Sequence, residues 1–139
     1  MQAKRLTSCA AIFVTEDVEA TANYYRNVLG FRLVAHYDKQ EKFAALYRDA
    51  VEIVVIQSAL GKVLPNQKRY GVGSDVYLVT ADAGQTVDAL HREFSEKGVK
   101  IVQPPAMTDY GNYEFTFEDI DGRWLACGRI RDEKKFFGE

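Results

Sequence analysis

The residue types that most often carry catalysis are scarce in this chain. It contains two histidines, His36 and His91, and two cysteines, Cys9 and Cys127, which lack CxxC spacing. No Ser-His-Asp or Cys-His arrangement, phosphate-binding loop or GxGxxG sequence is present. The sequence therefore gives no indication of nucleophilic catalysis or of nucleotide binding. Carboxylates and aromatic side chains remain as candidates, and these favour ligand binding.

The composition is that of one folded domain that binds neither nucleic acid nor a membrane. Its 139 residues are 47% hydrophobic and 27% charged, and the 8 Phe, 8 Tyr and 1 Trp can fill a core. The formal net charge is −2 and no basic block is present, which argues against a nucleic-acid partner. No apolar run approaches the roughly 20 residues that span a bilayer, so we expect a soluble protein.

The N-terminal stretch has some features of a secretory signal. Lys4 and Arg5 precede an apolar run, but this run continues directly into Glu16 and Asp17. We interpret it as a first strand and predict a cytoplasmic protein. Both cysteines fall in predicted strands, so we expect two buried, reduced thiols.

Apolar periodicity predicts one helix among four strands in the first half. Asp17 is a candidate N-cap, and apolar residues recur at helical spacing from Val18 to Leu29, where Gly30 ends the helix. Strands are expected over residues 7–14, 31–37, 42–47 and 51–58.

The second half repeats this order of elements. Asp82 and Gln85 resemble a capping box at the start of a helix that ends at Gly98. Strands are expected over residues 75–80, 99–102, 113–117 and 123–130, with Pro104 and Pro105 in a turn. The intervening residues 59–73 are polar and contain several glycines, so they are predicted to form a connection without regular structure.

The two halves also match each other directly. VTED at 14–17 corresponds to VTAD at 79–82, and GFRLV at 30–34 corresponds to GVKIV at 98–102. FAALYRD at 43–49 is matched to YEFTFED at 113–119, an offset of 70 residues. We predict a single α+β domain of two βαβββ repeats, about 6–58 and 74–130, joined by a loop over 59–73.

One helix can cover only one face of the sheet in each repeat. We therefore expect the tandem βαβββ modules to form a curved mixed sheet around a cleft. Such a cleft is the default site for a small-molecule ligand.

Two segments resemble the sequence signatures of a known family. Residues 12–17 (IFVTED) and 24–31 (YYRNVLGF) are similar to its D...FY..vLGF pattern, and residues 110–122 (YGNYEFTFEDIDG) to its G...f.f.DPDG pattern. The family is the glyoxalase, bleomycin-resistance and extradiol-dioxygenase superfamily, also called the vicinal oxygen chelate proteins. The resemblance implies the fold but no single reaction, because this scaffold hosts isomerases, dioxygenases, antibiotic-modifying enzymes and pure binders.

The enzymes of this superfamily hold a divalent metal with His, Glu or Gln side chains from both halves. The resemblance places the four positions at Ala10, Val54, Asp75 and Ala126, of which only Asp75 can bind a metal. A register shift of two residues would add Glu52 as a second carboxylate, which is still too few ligands. We therefore expect no metal and no other cofactor.

The same resemblance selects the ligand-binding candidates. Asp75 is expected to face an otherwise apolar cleft, where it could pair with a cationic group, and the alternative is a solvated strand end. Tyr77 and Trp124 share its strand face and offer stacking surface, or else pack in the core or a dimer contact. The other candidates, for which solvated rim or loop positions are the alternative, are Glu52, Tyr47, Tyr110 and Tyr113.

Three functions fit these observations. The preferred one is a non-catalytic protein that sequesters a small molecule, as bleomycin-resistance proteins do, because apolar residues replace the metal ligands. Such binders in the superfamily are homodimers, so a homodimer is expected. The alternatives are a metal-dependent lyase or dioxygenase with atypical ligands, and an interaction module whose cleft is filled by its own side chains.

Overall fold

A computed structural model describes residues 3–134 of this chain. The chain divides into two compact units, with the boundary between Val63 and Leu64. Each unit contains one four-stranded mixed sheet and one long helix, which confirms the predicted α+β class and the βαβββ order. None of the helices in this part of the chain is long and apolar enough to cross a membrane.

The first unit contains four strands and helix α1. Its sheet has the order β1-β4-β3-β2, in which β1 runs parallel to β4 and the other neighbours are antiparallel. The elements are β1 (Ala11–Thr15), α1 (Val18–Asn27), β2 (Arg32–His36), β3 (Phe43–Arg48) and β4 (Val51–Gln57).

Helix α1 begins and packs as its sequence predicts. The Asp17 carboxylate accepts the Ala20 N–H at 3.1 Å and caps the N-terminus. Tyr25, fully buried on the apolar side of the helix, contacts the ring of Phe31 at 5.6 Å. Gly30, with φ of +79°, then allows the chain to turn into β2.

The second unit has the same architecture with one additional short helix. Its sheet has the order β5-β8-β7-β6, and β5 runs parallel to β8. The elements are α2 (Asn66–Tyr70), β5 (Val76–Val79), α3 (Gln85–Glu96), β6 (Lys100–Met107), β7 (Asn112–Glu118) and β8 (Trp124–Ile130).

Aromatic rings fill the space between α3 and this second sheet. Phe94 of α3 contacts Phe117 at 4.9 Å and Phe115 at 6.2 Å between ring centroids. All three rings are buried, together with Leu125 and Cys127 of β8. These aromatic rings therefore pack on the helix face of the sheet.

The first strand is shorter than predicted, and the prediction for one cysteine is wrong. The ladder between β1 and β4 begins at Ala11, paired with Ile53, so residues 7–10 lie outside the strand. Cys9 is consequently exposed, and the expectation that it is buried fails. Cys127 is buried in β8 as predicted.

The connection over residues 59–73 is not devoid of regular structure. Pro65, whose φ of −66° suits a helix start, precedes the five-residue helix α2, and Gly71 in the left-handed region ends it. The glycine and proline that predicted a loop are the residues that bound this helix.

Strand β6 is longer than predicted and includes Pro104 and Pro105. It lies at the edge of the second sheet, and register shifts on either side of Gln103 leave both prolines out of the ladder. An edge strand tolerates the missing N–H groups of proline, which is why the predicted turn is wrong.

The start of α3 differs in detail from a capping box. The N-cap is Gly84, two residues after Asp82. The Asp82 carboxylate still accepts the N–H groups of Gly84 and Thr86, at 2.9 and 3.1 Å. These bonds and the Thr86 hydroxyl lower the pKa of Asp82.

The repeat match between β3 and β7 is out of register. At an offset of 70, Leu46 would correspond to Thr116, but Leu46 is fully buried on the helix face of its sheet. The buried residues of β7 are Phe115 and Phe117 instead. A shift by one residue exchanges the two faces of a strand, so the correct correspondence pairs Leu46 with Phe117.

Candidate functional site

Each sheet has one face covered by the long helix of its own unit and a second face, which we call the open face. In β8 of the second sheet, Leu125 and Cys127 are buried toward the helix, so Trp124 and Ala126 lie on the open face. The register places Tyr77 of β5 beside Ala126. The predicted common face of Tyr77 and Trp124 is therefore present in this sheet.

A hydrogen-bonded cluster of four side chains lies on this open face. The Tyr77 hydroxyl donates to Glu114 Oε1 at 3.1 Å, and the Tyr110 hydroxyl lies 3.4 Å from the same oxygen as a second donor. Asn112 Nδ2 donates to the Tyr77 hydroxyl oxygen at 2.8 Å. We call Tyr77, Tyr110, Asn112 and Glu114 the Glu114 cluster.

A glycine makes the position of Glu114 possible. Gly128 of β8 lies directly opposite Glu114 in the ladder. A Cβ atom at Gly128 would overlap the Glu114 Cβ and the Tyr113 carbonyl oxygen. A strand glycine typically marks such a close approach, and here it lets Glu114 lie over β8 toward Tyr77.

The electrostatics of the cluster keep both phenols protonated. Burial raises the pKa of the Tyr77 phenol well above its usual range, and the negative charge of Glu114 raises it further. The pKa of Tyr110 is raised by the same two causes. Both hydroxyl groups therefore remain hydrogen-bond donors to Glu114 throughout the physiological pH range.

The negative charge of a second carboxylate on the same face, that of Glu118, is already compensated. Glu118 accepts the indole N–H of Trp124 at 3.1 Å through Oε1, and Lys100 Nζ lies 3.4 Å from Oε2. Trp124 is half-buried, and its only polar atom is used in this bond. Its ring is consequently fixed on the open face.

Asp75 makes hydrogen bonds that connect neighbouring elements of the second unit. Its backbone N–H donates to the Trp124 carbonyl at 2.8 Å, and its Oδ1 accepts the N–H of Asn66, the first residue of α2, at 3.2 Å. Asp75 Oδ2 is buried and has no hydrogen-bond partner within residues 3–134. The carboxylate therefore anchors α2 with one oxygen and leaves the other unsatisfied.

Tyr113 lies on the opposite face of the second sheet. Its hydroxyl donates to Asp88 Oδ1 of α3 at 2.6 Å, and this bond raises the pKa of the phenol. The Arg131 guanidinium lies 4.8 Å from the centre of its ring. The structure thus separates Tyr113 from Tyr77 and Tyr110 by the thickness of the sheet.

Tyr47 and Glu52 are partners on the open face of the first sheet. They pair across β3 and β4, and the Arg32 guanidinium lies 4.9 Å above the Tyr47 ring. Beside them the face is apolar, with Ile12 68% and Val14 43% exposed. In that unit, therefore, two of the candidate residues border an uncovered apolar surface.

The residues at the superfamily's metal positions do not suit a metal centre. Ala10, Val54 and Ala126 have no side-chain atom that can bind a metal, which leaves Asp75 alone. Within residues 3–134, no three His, Cys, Asp or Glu side chains are grouped closely enough to hold an ion. His91 contacts the Phe115 ring at 5.4 Å, so it lies on the side of α3 that faces the sheet.

Sequence reasoning missed Glu114, Asn112 and Gly128. The out-of-register repeat match assigned Glu114 to the position of Ala44, a core residue. Strand alternation gives the correct answer, because Phe115 and Phe117 are core residues and Glu114 must then face the other way.

A sequence profile of the Glyoxalase/Bleomycin resistance protein/Dioxygenase superfamily matches residues 5–126. The chain belongs to this superfamily. The resemblance found in the sequence is thereby confirmed at the level of family and fold.

Solved structures of the superfamily have the same fold. A glyoxylase/bleomycin resistance protein/dioxygenase domain from Frankia sp. EAN1pec is 16% identical, with a TM-score of 0.72, and the match covers 92% of this chain and 100% of that one. A superfamily member from Sphaerobacter thermophilus is 24% identical, with a TM-score of 0.63 and coverage of 90% and 98%. A protein from Nocardioides is 18% identical, with a TM-score of 0.66 and coverage of 94% and 87%. No curated protein matches the chain.

Proposed function

We propose that this superfamily member binds a small organic molecule and does not transform it, and that the open face of the second sheet contributes the main contacts. The observation that carries this proposal is the Glu114 cluster. Glu114 is held in a fixed position by two phenols on the open face of the second sheet. Preorganised polar groups beside apolar surface are typical of ligand sites.

The side chains around the cluster offer both room and stacking surface. Ala126 and Gly128 lie between Tyr77 and Glu114 in the ladder and have little or no side chain, so a ring could approach the sheet backbone there. The fixed indole of Trp124 is two residues from Ala126 on the same face. An aromatic ligand could stack on this indole while a polar group reaches Glu114.

The same residues are poorly suited to catalysis. The two phenols are kept protonated, so they cannot accept a proton as general bases near neutral pH, and no histidine belongs to the Glu114 cluster. Three of the four superfamily metal positions carry alkyl side chains. We therefore propose binding as the function, with sequestration as its benefit.

Glu52 and Tyr47 are proposed as ligand contacts on the open face of the first sheet. Their open face is apolar and exposes Ile12 and Val14, and such a surface is suited to a ligand or to a second subunit. On this basis we also propose a homodimer, which light scattering on the purified protein would measure directly. Asp75 is proposed to act on the site indirectly, through its contact with α2.

One observation favours the metal-dependent alternative. Asp75 Oδ2 is a buried carboxylate oxygen without a partner among the described residues, and a cation would satisfy it. A lyase or dioxygenase would however need ligands from beyond the superfamily's usual positions.

A ligand screen tests the binding proposal. Calorimetry with a library of planar aromatic compounds should identify saturable ligands, and mass spectrometry should recover each of them unchanged after incubation. Tyr77→Phe and Trp124→Ala should weaken binding, whereas Tyr70→Phe, which removes an exposed hydroxyl on α2, should not. Conversion of a ligand, or a library without any ligand, would refute the proposal.

A further inference from the structure

We propose that the ligand carries an organic cation, and that Glu114 binds this cation between the rings of Tyr77 and Tyr110. The inference rests on the binding function proposed above and specifies the charge of the ligand. It concerns a carboxylate that lies outside the superfamily's metal positions.

The first argument is that the charge of Glu114 is not compensated. Glu118 on the same strand pairs with Lys100, and the buried Asp119 pairs with Arg123 at 3.0 Å. Glu114 is half-buried, and among residues 3–134 its hydrogen-bond partners are the two phenols alone. A partly desolvated carboxylate is stabilised by a cation, and none of residues 3–134 supplies one to this cluster.

The second argument is the geometry of the two carboxylate oxygens. Both phenols donate to Oε1, so within the part of the chain that the structure describes Oε2 has no hydrogen-bond donor. In the described residues, the buried side-chain atoms that lack a hydrogen-bond partner are Tyr37 Oη and Asp75 Oδ2. Oε2 of Glu114 is not among them, so it is open to solvent. An accessible carboxylate oxygen held in place by its neighbour is a preformed acceptor for an ammonium or amidinium N–H.

The third argument concerns the two aromatic rings. Tyr77 is 36% and Tyr110 is 57% exposed, so ring surface remains available although both hydroxyl groups are bound. A cation above a tyrosine ring is attracted by its quadrupole, and the carboxylate adds to this attraction. Neutral ligands lack both contributions, and anions are repelled by Glu114.

Three probes with one ring and different charges test this inference. Benzylamine is a cation at neutral pH, benzyl alcohol is its neutral counterpart, and benzoate is an anion of similar size. Calorimetry on the full-length wild-type protein should give the highest affinity for benzylamine, and this affinity should fall as sodium chloride is added.

The variant that isolates the carboxylate is Glu114→Gln. Because a hydrogen bond to a charged group is lost, benzylamine affinity should fall about tenfold to a hundredfold, while benzyl alcohol affinity is unchanged. Glu96→Gln removes the same charge from an exposed position on α3 and should leave all three affinities unchanged.

Each outcome supports or overturns the inference. Equal affinity of the wild-type protein for benzylamine and benzyl alcohol, or an unchanged benzylamine affinity in Glu114→Gln, overturns it. If benzyl alcohol or benzoate binds, and its affinity falls in Trp124→Ala but not in Glu114→Gln, the cation inference fails and the binding function stands. If no probe and no library compound binds, both fail. If Glu114→Gln does not fold, two measurements on the wild-type protein still test the inference: the salt dependence of benzylamine affinity and the comparison of the three probes.

Discussion

At the scale of single residues, the position of Glu114 depends on the absence of a side chain at Gly128. The Glu114 side chain leaves β7 opposite Gly128, where a Cβ atom would overlap the Glu114 Cβ and the Tyr113 carbonyl oxygen. Its carboxylate accepts hydrogen bonds from two phenolic hydroxyl groups. Strand alternation in YEFTFE predicts that Glu114 faces away from the core. Its contact with Tyr77 could not be predicted, because that contact depends on the pairing of β8 between β5 and β7.

Tyr77 should make the stability of the protein sensitive to alkaline pH. The folded-state pKa of its phenol lies above the ordinary value of 10.0 because of burial and Glu114. As pH rises above 10.0, the phenol ionises in the unfolded chain before it ionises in the folded protein. The stabilisation that the Tyr77 phenol gives the folded state is therefore complete below pH 10.0 and is lost as the pH rises further. In urea unfolding, Tyr77→Phe should therefore lose less stability than the wild-type protein between neutral and alkaline pH. Tyr70→Phe is the matched control, and parallel curves for Tyr77→Phe and wild type would contradict this role.

At the scale of elements, local signals succeed where one segment decides its own structure. Asp17 caps the start of α1, Gly30 turns the chain two residues after the C-cap Val28, and the long connection contains the unit boundary. The predictions fail where the partner strand decides: β6 extends through Pro104 and Pro105 because it is an edge strand. The repeat match of β3 with β7 likewise fails by one residue, since similar residue types occur on both faces of a strand.

Asp75 belongs to this scale because it connects α2 to the start of β5. Asp75→Ala removes the acceptor for the Asn66 N–H and should lower the free energy of unfolding by about 1 kcal/mol. Asp75→Asn keeps an acceptor oxygen and removes the charge of a carboxylate whose buried Oδ2 has no partner among residues 3–134, so it should retain the wild-type stability. Urea unfolding of both variants measures the difference. Equal loss in the two variants would show that the charge of Asp75, and not its acceptor oxygen, stabilises the protein.

At the scale of the whole molecule, two units of the same architecture have acquired different open faces. The face of the first sheet is apolar beside Tyr47 and Glu52, whereas that of the second carries the Glu114 cluster and Trp124. Repetition of a βαβββ unit could be predicted from the matching segments of the sequence. The different chemistry of the two faces could not, because it depends on the register of each strand with its neighbours.

The metal content of the protein tests the central claim, a binding function without a catalytic metal, most directly. The protein is produced in medium supplemented with iron, manganese, nickel and zinc, purified without chelators and analysed for each element by mass spectrometry. Because a single carboxylate occupies the superfamily's metal positions, the content of every metal should be far below one ion per chain. One ion per chain that survives dialysis and is lost in Asp75→Ala would contradict the account.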